Sequence, residues 1–152
     1  VPGINIILTK ANSDPGGKII NSMIDEFSST HDNAISFTSM GQLNYLSALQ
    51  FVDAVVGNSS SGLAEAPTFK IGTIDVGDRQ KGRLKASSVI SCDPNRESLD
   101  AAFEKLYSKD FQSILKNTAN PYGEVGASNN IINVIKSNIS ENVLKKTFFD
   151  LI

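Results

Sequence analysis

Val55-Val56-Gly57-Asn58-Ser59-Ser60-Ser61-Gly62-Leu63-Ala64-Glu65-Ala66-Pro67, continued by Gly77-Asp78-Arg79-Gln80-Lys81-Gly82-Arg83, is the stretch that decides the fold. An apolar strand, expected over 51–56, runs into a loop of glycines and hydroxyls, and the loop opens a short helix carrying Glu65 about one turn in. This is the layout of a phosphate-binding turn. Backbone N–H groups at a helix start are unpaired and lie at the positive end of the peptide dipoles, so a diphosphate can occupy them without a lysine in the loop. Ser59, Ser60 and Ser61 add hydroxyl donors, while Gly57 and Gly62 let backbone and ligand approach closely. A plain connecting loop with a serine cap produces the same pattern, and such loops are common in α/β domains. Pro67 must end or tightly limit the motif helix, because an interior proline loses a backbone hydrogen bond.

Outward from this stretch, strands are expected over 4–8, 34–38, 71–76 and 88–90, short and almost wholly apolar, the first of them reading as covered on both faces. Helices alternate with them. One carries Ile19, Ile20, Met23, Ile24 and Phe27 as a core-facing row, and the next carries Leu43, Leu46 and Leu49. Asp93-Pro94 reads as a helix start with the carboxylate as cap and proline first, ahead of Leu99, Phe103 and Leu106. A short helical piece is expected over 111–115. Ser128 is expected to cap a helix bearing Ile131, Ile132 and Ile135, and Ser140 a final helix with Leu144, Phe148 and Leu151 on a face that needs a partner.

Alternating strands and helices imply an α/β, doubly wound parallel sheet of Rossmann-like type with right-handed crossovers, in one domain spanning the chain. Ligands in such sheets sit outside the carboxyl ends of the strands. The loops 12–17, 39–41, 58–62 and 77–83 all leave on that edge, so four loops are expected to converge on one crevice.

Composition bounds the function. The 152 residues are 40% hydrophobic with a formal charge of −2, which gives no basic field for nucleic acid and no run long enough to span a membrane. The single cysteine, Cys92, excludes an internal disulfide and suits the cytoplasm; it reads as a half-buried residue at a strand end. His31, the one histidine, lies on a polar turn and reads as solvated. No metal site and no cofactor is expected. The chain starts Val1-Pro2-Gly3 and is read as part of a longer protein.

A nucleoside diphosphate fits the loops. Asn58, Ser59, Ser60, Ser61 and Gly62 would hold the phosphates, Glu65 would accept from both ribose hydroxyls, and Arg79, next to a strand end, offers a planar fork to the pyrophosphate. Ser39 and Met40 would border the base, with Met40 or Phe37 packing on its face; Asn12 and Arg83 are further candidates. Lys85 reads as part of a solvated basic loop.

The motifs Gly57-Asn58-Ser59-Ser60-Ser61-Gly62, Glu65-Ala66-Pro67, the Gly77 to Arg83 segment and Asn120-Pro121-Tyr122-Gly123 resemble the hydrolysing UDP-N-acetylglucosamine 2-epimerases of bacterial sialic-acid-type pathways. The resemblance runs in one order over nearly the whole chain and matches the C-terminal half of such an enzyme. It implies the C-terminal domain of a two-domain GT-B-type fold with the active site in the cleft, and a homo-oligomer. It also implies UDP contacts at Ser59, Ser60, Glu65 and Arg79, and a uracil-facing loop over 37–40. The implied reaction is anti elimination of UDP from UDP-GlcNAc followed by addition of water to the glycal, giving N-acetylmannosamine and UDP. The acid and base groups for that chemistry belong mainly to the other half, so no catalytic residue is expected here and the chain alone is expected to be inactive. Its last helix is expected to pack on that half or on a symmetry mate.

The non-hydrolysing epimerase shares the fold, but its loop typically reads Asp-Ser-Gly-Gly and it lacks Arg-Gln-x-Gly-Arg. A UDP-sugar glycosyltransferase domain is a second alternative. A non-catalytic nucleotide- or sugar-binding module is a third; a flavodoxin-like phosphoacceptor would want an acidic cluster after the first strand, where this chain has only Asp14.

Overall fold

The structure, a computed structural model, describes residues 3–13, 15–123 and 125–138. The expected helix over 140–152, with Leu144, Phe148 and Leu151, lies outside the described residues, as does Asp14. The chain divides into two compact units, residues 1–54 and 55–152.

In the first unit, β1 (Ile6–Thr9) and β2 (Ala34–Phe37) pair in parallel, with Ile6 opposite Ala34 and Thr9 opposite Phe37. Helix α1 (Gly17–Thr30) joins them and lies against β2; α2 (Gly41–Ala48) follows. Cover on both strand faces is not observed. Side chains alternate along both strands, and Ile7 and Ile35 are 45% and 53% exposed. Among the described residues, α1 lies against one face of this two-stranded sheet, the face that carries Ser36.

The rotation of α1 also differs from expectation. Ile19, Ile20, Met23 and Phe27 are exposed, Ile19 at 69%, and the covered row is Gly17, Asn21, Ile24 and Ser28. Polar bonds set this rotation. The Asn21 carboxamide brackets the Ala11 backbone, accepting from its N–H at 2.7 Å and donating to its carbonyl at 3.3 Å, and the Ser28 hydroxyl meets that of Ser36 on β2 at 3.0 Å. Phe27 stacks instead on the ring of His31, 4.0 Å between centroids, and His31 is exposed as expected. Of the expected α2 row, Leu49 is buried, Leu46 half-buried and Leu43 exposed. Phe51 does not start a strand: its N–H closes a turn on the Ala48 carbonyl at 2.9 Å and its side chain is exposed.

In the second unit, β3 (Ala54–Gly57), β4 (Gly72–Val76) and β5 (Val89–Cys92) form one sheet in that order. β4 and β5 run parallel from Thr73 opposite Val89 to Val76 opposite Cys92. Helix α4 (Arg96–Leu106) packs on β4 and β5, and α5 (Lys109–Lys116) packs on α4. Leu63, Ile74, Ile90, Ala102, Leu106, Phe111 and Leu115 are buried and make the core. The cap of α4 is Asn95, whose side chain accepts from the Ser98 N–H at 2.9 Å. Asp93 instead takes the Asn95 N–H on its own carbonyl at 2.8 Å, a tight turn that leaves Pro94 outside the helix. Helix α6 (Ala127–Asn138) starts one residue before Ser128, which lies inside it, and Ile131, Ile132 and Ile135 are exposed.

Candidate functional site

The motif loop leaves β3 at Gly57 and enters α3 (Ser61–Ala64), a single turn, followed by a 3-10 turn over Ala66–Phe69. Pro67 explains the early stop, since it has no N–H to offer the Leu63 carbonyl. Glu65 therefore sits at the junction of the two turns, half-buried. Along the turn, Leu63 and Ala64 donate to the Ser60 carbonyl at 3.1 and 2.9 Å, Gly62 to the Ser59 carbonyl at 3.3 Å, and the Ser61 N–H to the Ser59 hydroxyl at 3.4 Å. The N–H groups of Ser59 and Ser60 donate to nothing among the described residues, and both residues are exposed. Two adjacent, unpartnered amide donors on exposed residues are what an anion site needs.

Gly62 faces the other way. It is buried, its carbonyl accepts from the Thr73 hydroxyl at 2.7 Å, and a Cβ added to it would lie 2.6 Å from Thr73 Cγ2. Its missing side chain lets α3 press on β4. The space at Gly57 is open.

The second half of the motif returns to the first. After β4 the chain turns at Gly77, φ +81°, and the Arg79 guanidinium reaches the Asn58 side-chain oxygen at 3.4 Å while Gln80 Nε2 donates to the Asn58 carbonyl at 2.7 Å. These bonds join the loops that follow β3 and β4, so both strands end at the same edge. Arg79 and Arg83 are exposed; Gln80 is buried. Lys85 departs from the solvated reading: its ammonium pairs with the buried Asp75 of β4 at 2.8 Å and donates to the Ser91 hydroxyl of β5 at 2.7 Å. The signal for it was in the sequence, since a lone carboxylate inside an apolar strand needs a cation.

The Asn120 to Gly123 turn straps the site from below. Asn120 Nδ2 donates to the Ala64 carbonyl at 2.8 Å and to the Thr68 hydroxyl at 2.7 Å, and its oxygen accepts from the Tyr122 N–H at 2.9 Å. The Tyr122 hydroxyl donates to the Leu84 carbonyl at 3.1 Å. The turn thus ties the residue before Glu65 to the loop that carries Arg79.

In the first unit, Asn12 is exposed on the loop after β1, and Gly17 is required there because a Cβ would collide with the Asn12 carbonyl. Phe37 ends β2 half in the open, the Ser39 hydroxyl accepts from the Gly41 N–H at 3.2 Å, and Met40 is half-buried at the start of α2. Because β1 and β2 are parallel, these two loops share one edge of their own sheet. Among the described residues no group of three or more His, Cys, Asp or Glu could hold a metal, and no helix is long and apolar enough to cross a membrane.

Cys92 ends β5 half-buried beside a groove of about 450 Å³ that Asp93, Ser98 and Lys105 also line. Burial first, then the carboxylates of Asp75 and Asp93, push its thiol above the usual cysteine range. A raised pKa means less thiolate, so iodoacetamide is expected to alkylate Cys92 more slowly at pH 8 than it alkylates an unfolded cysteine peptide, with the gap closing as pH rises. Equal or faster alkylation at pH 8 would contradict this electrostatic picture.

Parallel strand pairs alternating with helices, with glycine- and serine-bearing loops at their carboxyl ends, place the chain in the Rossmann-like class. The structure of a Listeria monocytogenes protein named for UDP-N-acetylglucosamine 2-epimerase superposes with a TM-score of 0.69 at 18% identity, covering 98% of this chain and 49% of that one, which fixes the fold. Residues 2–136 match the profile of the UDP-N-acetylglucosamine 2-epimerase family, and the chain belongs to that family. It is 42% identical over 149 residues to a Campylobacter jejuni protein, the GDP/UDP-N,N'-diacetylbacillosamine 2-epimerase (hydrolyzing). It is 32% identical over 148 residues to the polysialic acid biosynthesis protein P7 of Escherichia coli. Each alignment covers 97% of this chain but 38% of the relative, so the chain spans about two-fifths of their length.

Proposed function

We propose that this chain is the nucleotide-binding domain of a hydrolysing UDP-sugar 2-epimerase acting on a UDP-linked N-acetylated sugar, UDP-GlcNAc or a further acetylated derivative. The observation that carries the reading is the joining of the two motif halves at Asn58 by Arg79 and Gln80, next to the exposed Ser59 and Ser60, whose N–H groups have no partner among the described residues. On this reading the two amides, the serine hydroxyls and the Arg79 fork bind the diphosphate, Glu65 accepts from the ribose, and the loop bearing Phe37, Ser39 and Met40 meets the uracil. Binding of the diphosphate stabilises the charge that develops on it as the C1–O bond breaks and UDP departs by anti elimination, and water then adds to the glycal left behind. The groups that move protons in those steps lie in the remainder of the full protein. The Campylobacter jejuni relative is named for a diacetylated amino sugar, which favours such a derivative over UDP-GlcNAc as the natural substrate. A cytoplasmic, homo-oligomeric enzyme belongs to the same reading.

Calorimetric titration with UDP tests it. Saturable binding is expected, weakened about tenfold or more by Arg79→Ala and by Glu65→Ala, each removing a charge-assisted contact. Binding that neither change affects would refute the assignment.

A further inference from the structure

Gln80 has a use that its place in the motif does not reveal. It is 3% exposed and its carboxamide is engaged at one end only: Nε2 donates to the Asn58 carbonyl at 2.7 Å, whereas Oε1 is buried with no hydrogen-bond partner. A buried acceptor left unpaired is costly, and an apolar side chain of equal size would avoid that cost. The glutamine therefore earns its position through the donor end.

That donor end acts on one peptide plane. The Asn58 carbonyl and the Ser59 N–H belong to the same planar trans unit, in which C=O and N–H point in opposite directions. A donor that holds the carbonyl from the buried side turns the Ser59 N–H toward solvent, where it has no partner among the described residues. Arg79 fixes the same residue by its side chain, at 3.4 Å, and does not constrain the plane.

We propose that Gln80 is a positioning residue that locks the Asn58–Ser59 peptide with its N–H aimed at the phosphate of a bound nucleoside diphosphate. The proposal rests on the UDP reading above. Gln80 touches no ligand itself; a hydrogen bond to the carbonyl also polarises the shared peptide and makes its N–H a better donor. The lock acts on phosphate alone, so it separates ligands that carry a diphosphate from those that do not.

The test titrates the wild type and Gln80→Met with UDP and with uridine. Gln80→Met is expected to weaken UDP about tenfold while leaving uridine affinity and the melting temperature close to wild type. An unchanged UDP affinity, or an equal loss for both ligands, overturns the proposal, since a merely structural role would move the two together. If wild type does not bind UDP, or neither Arg79→Ala nor Glu65→Ala weakens UDP binding, the UDP reading itself fails and the proposal falls with it. Should Gln80→Met not fold, the wild type decides by NMR. A scalar coupling across the hydrogen bond from Gln80 Nε2 to the Asn58 carbonyl carbon, kept in the UDP complex while the Ser59 amide proton moves downfield, is expected; loss of that coupling on UDP binding overturns the proposal.

Discussion

Gly62→Ala is expected to destabilise the chain by about 1–3 kcal/mol, because the added methyl has nowhere to go. Its carbon would lie 2.6 Å from Thr73 Cγ2, and the Thr73 side chain is short, β-branched, buried and tied by its hydroxyl to the Gly62 carbonyl, so it cannot swing aside as a long flexible side-chain tip could. For a chain of this size that is a fall of roughly 3–10 °C in melting temperature. The clash names its own remedy. Thr73→Ser deletes Cγ2 but keeps the hydroxyl that donates to the Gly62 carbonyl at 2.7 Å, so the pair Gly62→Ala with Thr73→Ser is expected to recover most of the loss. A melting curve for Gly62→Ala that overlays the wild type would show that α3 does not press on β4 as described.

Lys85→Met is expected to cost about 2–4 kcal/mol. It strands the Asp75 carboxylate, 1% exposed, without its cation, and breaking one side of a buried pair leaves an uncompensated charge worth roughly 3–5 kcal/mol. The Lys85 side chain is 29% exposed, so water softens that penalty and the lower figure applies. Asp75→Leu together with Lys85→Met removes both charges and is expected to be more stable than Lys85→Met alone, as read by urea unfolding. A single variant no weaker than the double would contradict the pairing. Lys85 also closes the 77–85 loop onto β4 and β5, so its loss is expected to loosen Arg79 and weaken UDP.

The features legible from the sequence were those encoded locally. Pro67 stops α3, glycines mark the turns, and the strand, loop and helix alternation gives the Rossmann-like class. What local pattern could not supply was the partner across space. The periodicity of Ile19, Ile20, Met23 and Phe27 says that they share a face, but not that Asn21 and Ser28 rotate the opposite row onto the sheet through three hydrogen bonds. Asp93 and Asn95 are both competent caps two residues apart, and the choice falls to the one that reaches the Ser98 N–H. Gln80 and Asn58 are separated by 22 residues, and Lys85 and Asp75 by ten; each pair reads as ordinary loop polarity until the fold closes. Gly62 belongs to the Gly-Asn-Ser loop by sequence, yet what its bare Cα meets is the Thr73 side chain of β4.

The unpartnered amides of Ser59 and Ser60 are expected to receive the diphosphate of bound UDP. Proton–nitrogen correlation spectra of the labelled chain, recorded as UDP is added, test it directly. The Ser59 and Ser60 amide protons are expected to move downfield in proportion to occupancy, with the Arg79 side-chain signal following them. Saturating UDP that leaves these amides in place while shifting signals elsewhere would contradict it.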